Sequence, residues 1–209
     1  MSEPAAILNE PWSTTEREHV AMQFGVWLFL ATEALFFGGL FLFYAVSRFT
    51  HSAGFTVGAR EADIWFGTAN TIVLMTSSLS MAIAERATKH KLPGLARPMV
   101  IATLVLGAMF LVIKGFEYRS DILHDLIPSP HFKFAVRGAA QFWSFYWTAT
   151  VVHAIHLTVG LGIVSRLLFI PRAELPKRWT TAVGTALYWH LVDIVWVILY
   201  PLIYLVGRP

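Results

Sequence analysis

The run from Ala182 to Val206, AVGTALYWHLVDIVWVILYPLIYLV, is apolar and long enough to cross a bilayer, and four similar runs precede it in a chain of 209 residues. A hydrocarbon core about 30 Å thick asks for roughly 20 mostly apolar residues per helix. The runs predict spanning helices over 22–46, 64–85, 97–117, 139–166 and 180–206. The expected fold class is an all-α integral membrane protein, a five-transmembrane-helix bundle forming a single domain over 22–207 behind a polar N-terminal segment over 1–21. The longest connection, from Tyr118 to Gly138, carries two prolines and leaves no room for a soluble domain.

Composition agrees with lipid as the solvent: 56% of residues are hydrophobic, 14% are charged, and the mean hydropathy is +0.59. With no cysteine, disulfide frameworks, thiolate metal sites and cysteine nucleophiles are excluded. The net charge of +3 comes from basic residues scattered between apolar runs, without the basic stripe that nucleic-acid binding needs. The N-terminal segment sets Glu3, Glu10, Glu16 and Glu18 against Arg17, unlike a signal or transit peptide, so the first apolar run is expected to be retained. With five spans the termini lie on opposite sides, and the Lys/Arg bias between the faces sets orientation. Arg17, Arg86, Lys89, Lys91, Arg97, Arg166, Arg172, Lys177 and Arg178 fall on the N-terminal side. Arg48, Arg60, Arg119, Lys133, Arg137 and Arg208 fall on the other. Nine against six predicts the N-terminus inside and the C-terminus outside. Lys114, near the end of the third run, is expected to snorkel to the interface.

No inverted repeat or low-complexity segment is visible. Pro93, Pro98, Pro128, Pro130, Pro171 and Pro176 mark the ends of spans, while Pro201, inside the last, predicts a kink. Gly38-Gly39 and Ser77-Ser78 are the small residues that let helices approach closely in lipid.

Against this background the ionisable residues inside the runs stand out. Glu33 lies midway along the first span, Glu117 closes the third, His153 and His156 sit in the fourth, and His190 and Asp193 in the fifth. The last two pairs are spaced i, i+3, which predicts a short polar strip on one face of each helix. Left charged and unpaired, each such group costs about 2.5 to 3.5 kcal/mol on insertion scales. Three readings follow. Histidines on neighbouring helices can hold heme or a metal, although H-x-x-H alone is a weak signal and more carboxylates or histidines are wanted. Glu33 and Asp193 could serve a proton relay or a proton-coupled carrier. Or the groups hydrogen-bond across helices and fix which helix meets which.

The segments WLFLATEALFFGGLFLFY, ANTIVLMTSSLSMAIA, IKGFEYRSD, TATVVHAIHLTVGLG and YWHLVDIVWVILYPLIYLVG, in that order, resemble the helices of subunit III of the heme-copper oxidases over nearly everything from Phe24 to Gly207. The resemblance implies a non-catalytic subunit of an oxidoreductase complex, a cytochrome c or quinol oxidase. It implies aerobic electron transport with proton pumping in a multi-pass protein of the bacterial inner membrane. No cofactor is expected on this chain: heme and copper belong to partner subunits, with structural phospholipid as the remaining ligand. Subunit I is the expected direct partner, with subunit II and a small subunit IV in the complex, and support of subunit I stability, lipid binding and proton uptake as the role. By motif, Glu33 corresponds to the family's buried, carbodiimide-reactive glutamate, and Glu117, His153, His156, His190 and Asp193 occupy matching polar positions. No catalytic or metal residue is carried over. The longer family form has seven helices, and this chain starts at the equivalent of its third, as shorter bacterial members do. Val151-Val152 stand where the family often has Gly-Phe, so a neighbouring helix is expected to accommodate Val151. Alternatives are the subunit III-like protein that accompanies nitric oxide reductases and an independent proton-coupled carrier.

Overall fold

The computed structural model describes residues 15–130 and 132–208. Residues 1–14 of the polar N-terminal segment lie outside the described residues. The elements are α1 (Thr15–Thr50), α2 (Ser52–Glu61), α3 (Ile64–Lys89), α4 (Pro93–Leu123), α5 (Ala139–Phe169), a 3₁₀ turn (Leu175–Arg178), α6 (Trp179–Tyr200) and a π-helical turn (Pro201–Leu205). Five helices are long and apolar enough to cross a membrane, with no strand among the described residues. This is the expected five-helix fold class.

Local chemistry sets the boundaries. Asp63 caps α3 by accepting from the Trp65 amide at 2.8 Å. Pro93 opens α4, where a missing N–H costs nothing. Pro98 does not end a span but lies inside α4. Arg97 donates to the carbonyls of Leu168 at 2.8 Å and Ile170 at 3.0 Å, satisfying the C-terminal end of α5. The expected kink at Pro201 takes the form of the π turn, which absorbs the ring's lost donor without ending the helical path.

The core lies between α3, α4, α5 and α6, filled by Leu74, Met81, Phe110, Phe142, Trp143, Leu157, Trp189, Trp196 and Leu199. α1 leans on α5 and α6 along one stripe, Leu30, Phe37 and Tyr44, a seven-residue spacing that keeps one helix face inward. Apart from Ser47 and a few half-buried positions, the described remainder of α1 is exposed, including Gly38 and Gly39, which have nothing within 4 Å of an added Cβ. The close packing expected at that glycine pair is therefore absent within this chain. Ser77 does meet a neighbour, its hydroxyl 3.3 Å from the Thr103 carbonyl. Val151 is 39% exposed on the outer face of α5, so no helix of this chain has to yield to it.

One element has no counterpart among the five expected spans. α2 does not cross the membrane; it packs against the start of α5 through Gly54, Phe55, Gly58 and Ala59. A Cβ on Gly54 would collide with the Arg137 carbonyl oxygen, so only glycine permits this approach. The C-terminus closes over the same end: Arg60 donates to the Gly207 carbonyl at 3.0 Å, and Arg208 to the Ala62 carbonyl.

Candidate functional site

The intramembrane ionisable residues occur in three groups, each built by a different combination of helices, with α5 common to all three. On the lipid-facing side, Glu33 of α1 meets His156 of α5, with Oε2 2.9 Å from Nε2. Nδ1 of the same ring lies 2.8 Å from the Val152 carbonyl, one helical turn back. A carbonyl only accepts, so Nδ1 carries a hydrogen. Nε2 and Glu33 then share a single proton, and the pair is neutral overall whichever atom holds it. Neutrality removes most of the cost of placing either group at membrane depth. Phe36 and Phe37 flank the ring, and Tyr188 donates to the His156 carbonyl at 3.0 Å. The pair opens on a cleft of about 700 Å³ between α1, α5 and α6, lined chiefly by Phe29, Leu30, Ile155, Val159 and Gly184. A second groove shares Ile163, Thr181 and Thr185 with it and runs to Arg166 and Arg178.

The second group surrounds the Trp196 indole in the core. Trp196 donates to Thr71 at 3.1 Å and lies tilted against the His153 ring, centroids 5.2 Å apart, while Phe110 meets both rings edge-on. His153 is buried with both ring nitrogens unpartnered among the described residues, as is the amide of Asn70, while the Asp193 carboxyl, 3% exposed, faces the Ser78 hydroxyl. His190, one turn from Asp193, shares a hydrogen bond of 2.8 Å with Ser78 of α3. The i, i+3 pair of α5 thus does not act as a single strip, whereas His190 and Asp193 of α6 both face Ser78 of α3. Three residues turn a helix by about 300°, enough at these boundaries to send His156 toward α1 and His153 toward α4 and α6.

The third group lies where α4, α5 and the C-terminal turn converge. Lys114 and Glu117 are each 1% exposed, with Nζ 3.0 Å from Glu117 Oε2. Lys114 also donates to Tyr204 at 2.8 Å and Tyr146 at 3.2 Å. Tyr204 donates to Glu117 Oε1 at 2.6 Å, and the Tyr146 hydroxyl lies 2.9 Å from Glu117 Oε1 and 2.5 Å from Asp121 Oδ2. The rings of Tyr118, Tyr146, Trp196 and Tyr204 enclose the ammonium, with centroids 4.6 to 5.5 Å away. Gly67 of α3 lets the Tyr204 ring in, since a Cβ there would fall 2.7 Å from the ring. Lys114 is therefore turned inward as the counter-ion of Glu117 and does not snorkel. Its partner, Glu117, lies one turn along the same helix within the bundle.

The sequence pattern singles out Glu117 but not Asp121, Tyr146 or Tyr204, and it misplaces Lys114. Lys114, Glu117 and Asp121 recur at i, i+3 and i+7, a single helix stripe that could have signalled the charge group. Nothing in spacing announces tyrosines brought from α5 and the C-terminal turn. Among the described residues, no group of three or more His, Asp or Glu side chains converges as a metal site would.

These placements can be set beside known proteins. A family profile described as cytochrome c oxidase subunit III matches residues 13–208. A probable cytochrome c oxidase subunit 3 of Mycobacterium leprae is 30% identical over 207 residues, covering 96% of this chain and 95% of that protein. The cytochrome bo(3) ubiquinol oxidase subunit 3 of Pseudomonas aeruginosa is 27% identical over 186 residues, 88% of this chain and 84% of that protein. A heme-copper oxidase subunit I+III of Aeropyrum pernix is 26% identical over 189 residues, 87% of this chain and 22% of that longer protein. A match that runs from the start of α1 to the C-terminal turn, through all five spanning helices, makes this multi-pass membrane chain a member of the cytochrome c oxidase subunit III family.

Proposed function

We propose that the chain works as the accessory subunit III of a proton-pumping heme-copper terminal oxidase in the bacterial inner membrane, with its N-terminus inside and the hemes and copper held by partner subunits. The observation that carries this reading is the family match across 13–208. The site geometry supports it. Glu33 is paired with His156 and Glu117 with Lys114, both across or within the bundle, so these groups are engaged in holding helices together. The excess of Lys and Arg on the N-terminal side supports the orientation.

Subunit I is the direct partner in this proposal, with subunit II and a small subunit IV in the same complex. The relative named heme-copper oxidase subunit I+III supports subunit I as neighbour, because its printed name joins the two in one chain. The cleft beside Glu33 and His156 suits an acyl chain, and Arg166 and Arg178 at the end of the adjoining groove suit a phosphate. A structural phospholipid there would steady α1, which has few other contacts with the bundle, and so support subunit I stability and proton uptake.

The test is purification of the tagged chain from its native membrane in mild detergent, with heme spectra and oxygen uptake. Heme-bearing partners and oxygen consumption that falls on deletion of this chain are expected. A chain that emerges alone and transports a solute in liposomes, or whose deletion abolishes nitric oxide consumption instead, overturns the proposal.

A further inference from the structure

The cluster of Lys114, Glu117, Asp121, Tyr146 and Tyr204 can be read by counting hydrogens. Lys114 donates two of its three to Tyr146 and Tyr204, and its ammonium is ion-paired with Glu117 Oε2 at 3.0 Å. Tyr204 spends its single hydroxyl hydrogen on Glu117 Oε1 at 2.6 Å. Tyr146 also has one hydrogen, yet its oxygen sits 2.9 Å from Glu117 Oε1 and 2.5 Å from Asp121 Oδ2. One hydrogen cannot fill two such contacts. Without another, two oxygen lone pairs would face each other at hydrogen-bond distance inside a bundle of low dielectric, an arrangement that is repulsive.

The missing hydrogen belongs on a carboxyl group, and the ion pairing says which. Glu117 has the ammonium 3.0 Å away and accepts from a tyrosine, both of which favour its anionic form. Asp121, 5% exposed, has no cation paired with it among the described ion pairs. The titratable and charged groups facing it are Lys114, Glu117 and Tyr118 of α4, His124 just beyond its end, Tyr146 of α5 and Tyr204 of the C-terminal turn.

We propose that Asp121 is a neutral carboxylic acid that donates to Tyr146, which in turn donates to Glu117, so that the cluster holds one exchangeable proton beyond its Lys114–Glu117 ion pair. The cluster then has no net charge: one ammonium, one carboxylate, one acid. The chain Asp121 to Tyr146 to Glu117 runs in a single direction, and each donor has one acceptor. Asp121 lies two residues from the end of α4, on the side of the bundle that carries the C-terminus, so its proton exchanges with water on that side. The third group of buried residues is thereby a proton-binding site, distinct from the Glu33–His156 pair facing the cleft.

Infrared spectroscopy of the assembled complex, comparing the wild-type chain with Asp121→Asn, tests this directly. The expected result is a carboxylic-acid carbonyl band that the variant loses, that shifts when aspartate carboxyls carry carbon-13, and that moves again in deuterium oxide. The amide that the substitution introduces keeps a donor for Tyr146, so the variant complex should assemble to the wild-type level. No band lost in Asp121→Asn, a lost band that shifts with labelled glutamate instead, a band indifferent to deuterium oxide, or failure of the variant to assemble each overturns the proposal.

Discussion

Removing the charge of Glu117 while keeping Lys114 leaves an ammonium stranded in the bundle, and the pair offers a double-mutant cycle with a definite expectation. At 3.0 Å the Coulomb term is about 5 kcal/mol for an effective dielectric near 20. Breaking a buried pair by removing one partner costs about 3 to 5 kcal/mol, because the remaining charge is uncompensated. Glu117→Gln and Lys114→Met should each fall in that range. The double variant should cost well under their sum, with a coupling of at least about 2 kcal/mol, since the two neutral side chains no longer strand each other. Unfolding of the purified protein in mixed micelles, followed by the fluorescence of its tryptophans, reads all four corners of the cycle. Costs that add to within about 0.5 kcal/mol would show that Lys114 and Glu117 do not depend on one another, and the inward placement of Lys114 would be wrong.

Glu33→Gln should keep a hydrogen bond to His156 and assemble normally, whereas Glu33→Ala leaves Nε2 of the ring unpartnered at a cost of about 1 to 3 kcal/mol, seen in the unfolding midpoint; equal midpoints would refute the pairing. His153→Phe replaces an imidazole whose nitrogens have no partner by a ring of similar shape, so the midpoint should hold or rise, and a loss above about 1 kcal/mol would reveal a polar partner. Gly54→Ala should cost about 1 to 3 kcal/mol through the clash with the Arg137 carbonyl, while Gly115→Ala, with open space around it, should be silent; comparable losses in the two would remove the close approach of α2 to α5.

The places where sequence and structure part company share a cause. Helix position alone sends Lys114 to the interface, because it sets how far a side chain reaches; that the residue turns inward depends on Glu117 one turn away and on two tyrosines from other elements. Gly38 and Gly39 carry the small-residue signature of a helix contact, but which helix, and whether it belongs to this chain, is not encoded in the signature. The histidine pair of α5 is legible as polar and mid-membrane, and its spacing suggests one face, yet a rotation of some 60° separates contact with α1 from contact with the core. α2 escapes a reading by pattern because its helical periodicity is brief and glycine-rich, and its stability comes from packing under α5 rather than from propensity.

By itself the sequence determined that this chain has five membrane-spanning helices, because a bilayer admits apolar runs of that length as helices and little else. It also determined the family, through motifs whose order survives along the whole chain. Only the tertiary structure decided who answers each buried polar group: His156 for Glu33, Lys114 with two tyrosines for Glu117, Tyr146 for Asp121. The physical reason is that burial within lipid is a property of a run of residues, whereas a hydrogen bond or ion pair requires atoms within about 3 Å, and those atoms, the Lys114–Glu117 pair apart, come from helices far apart in the chain.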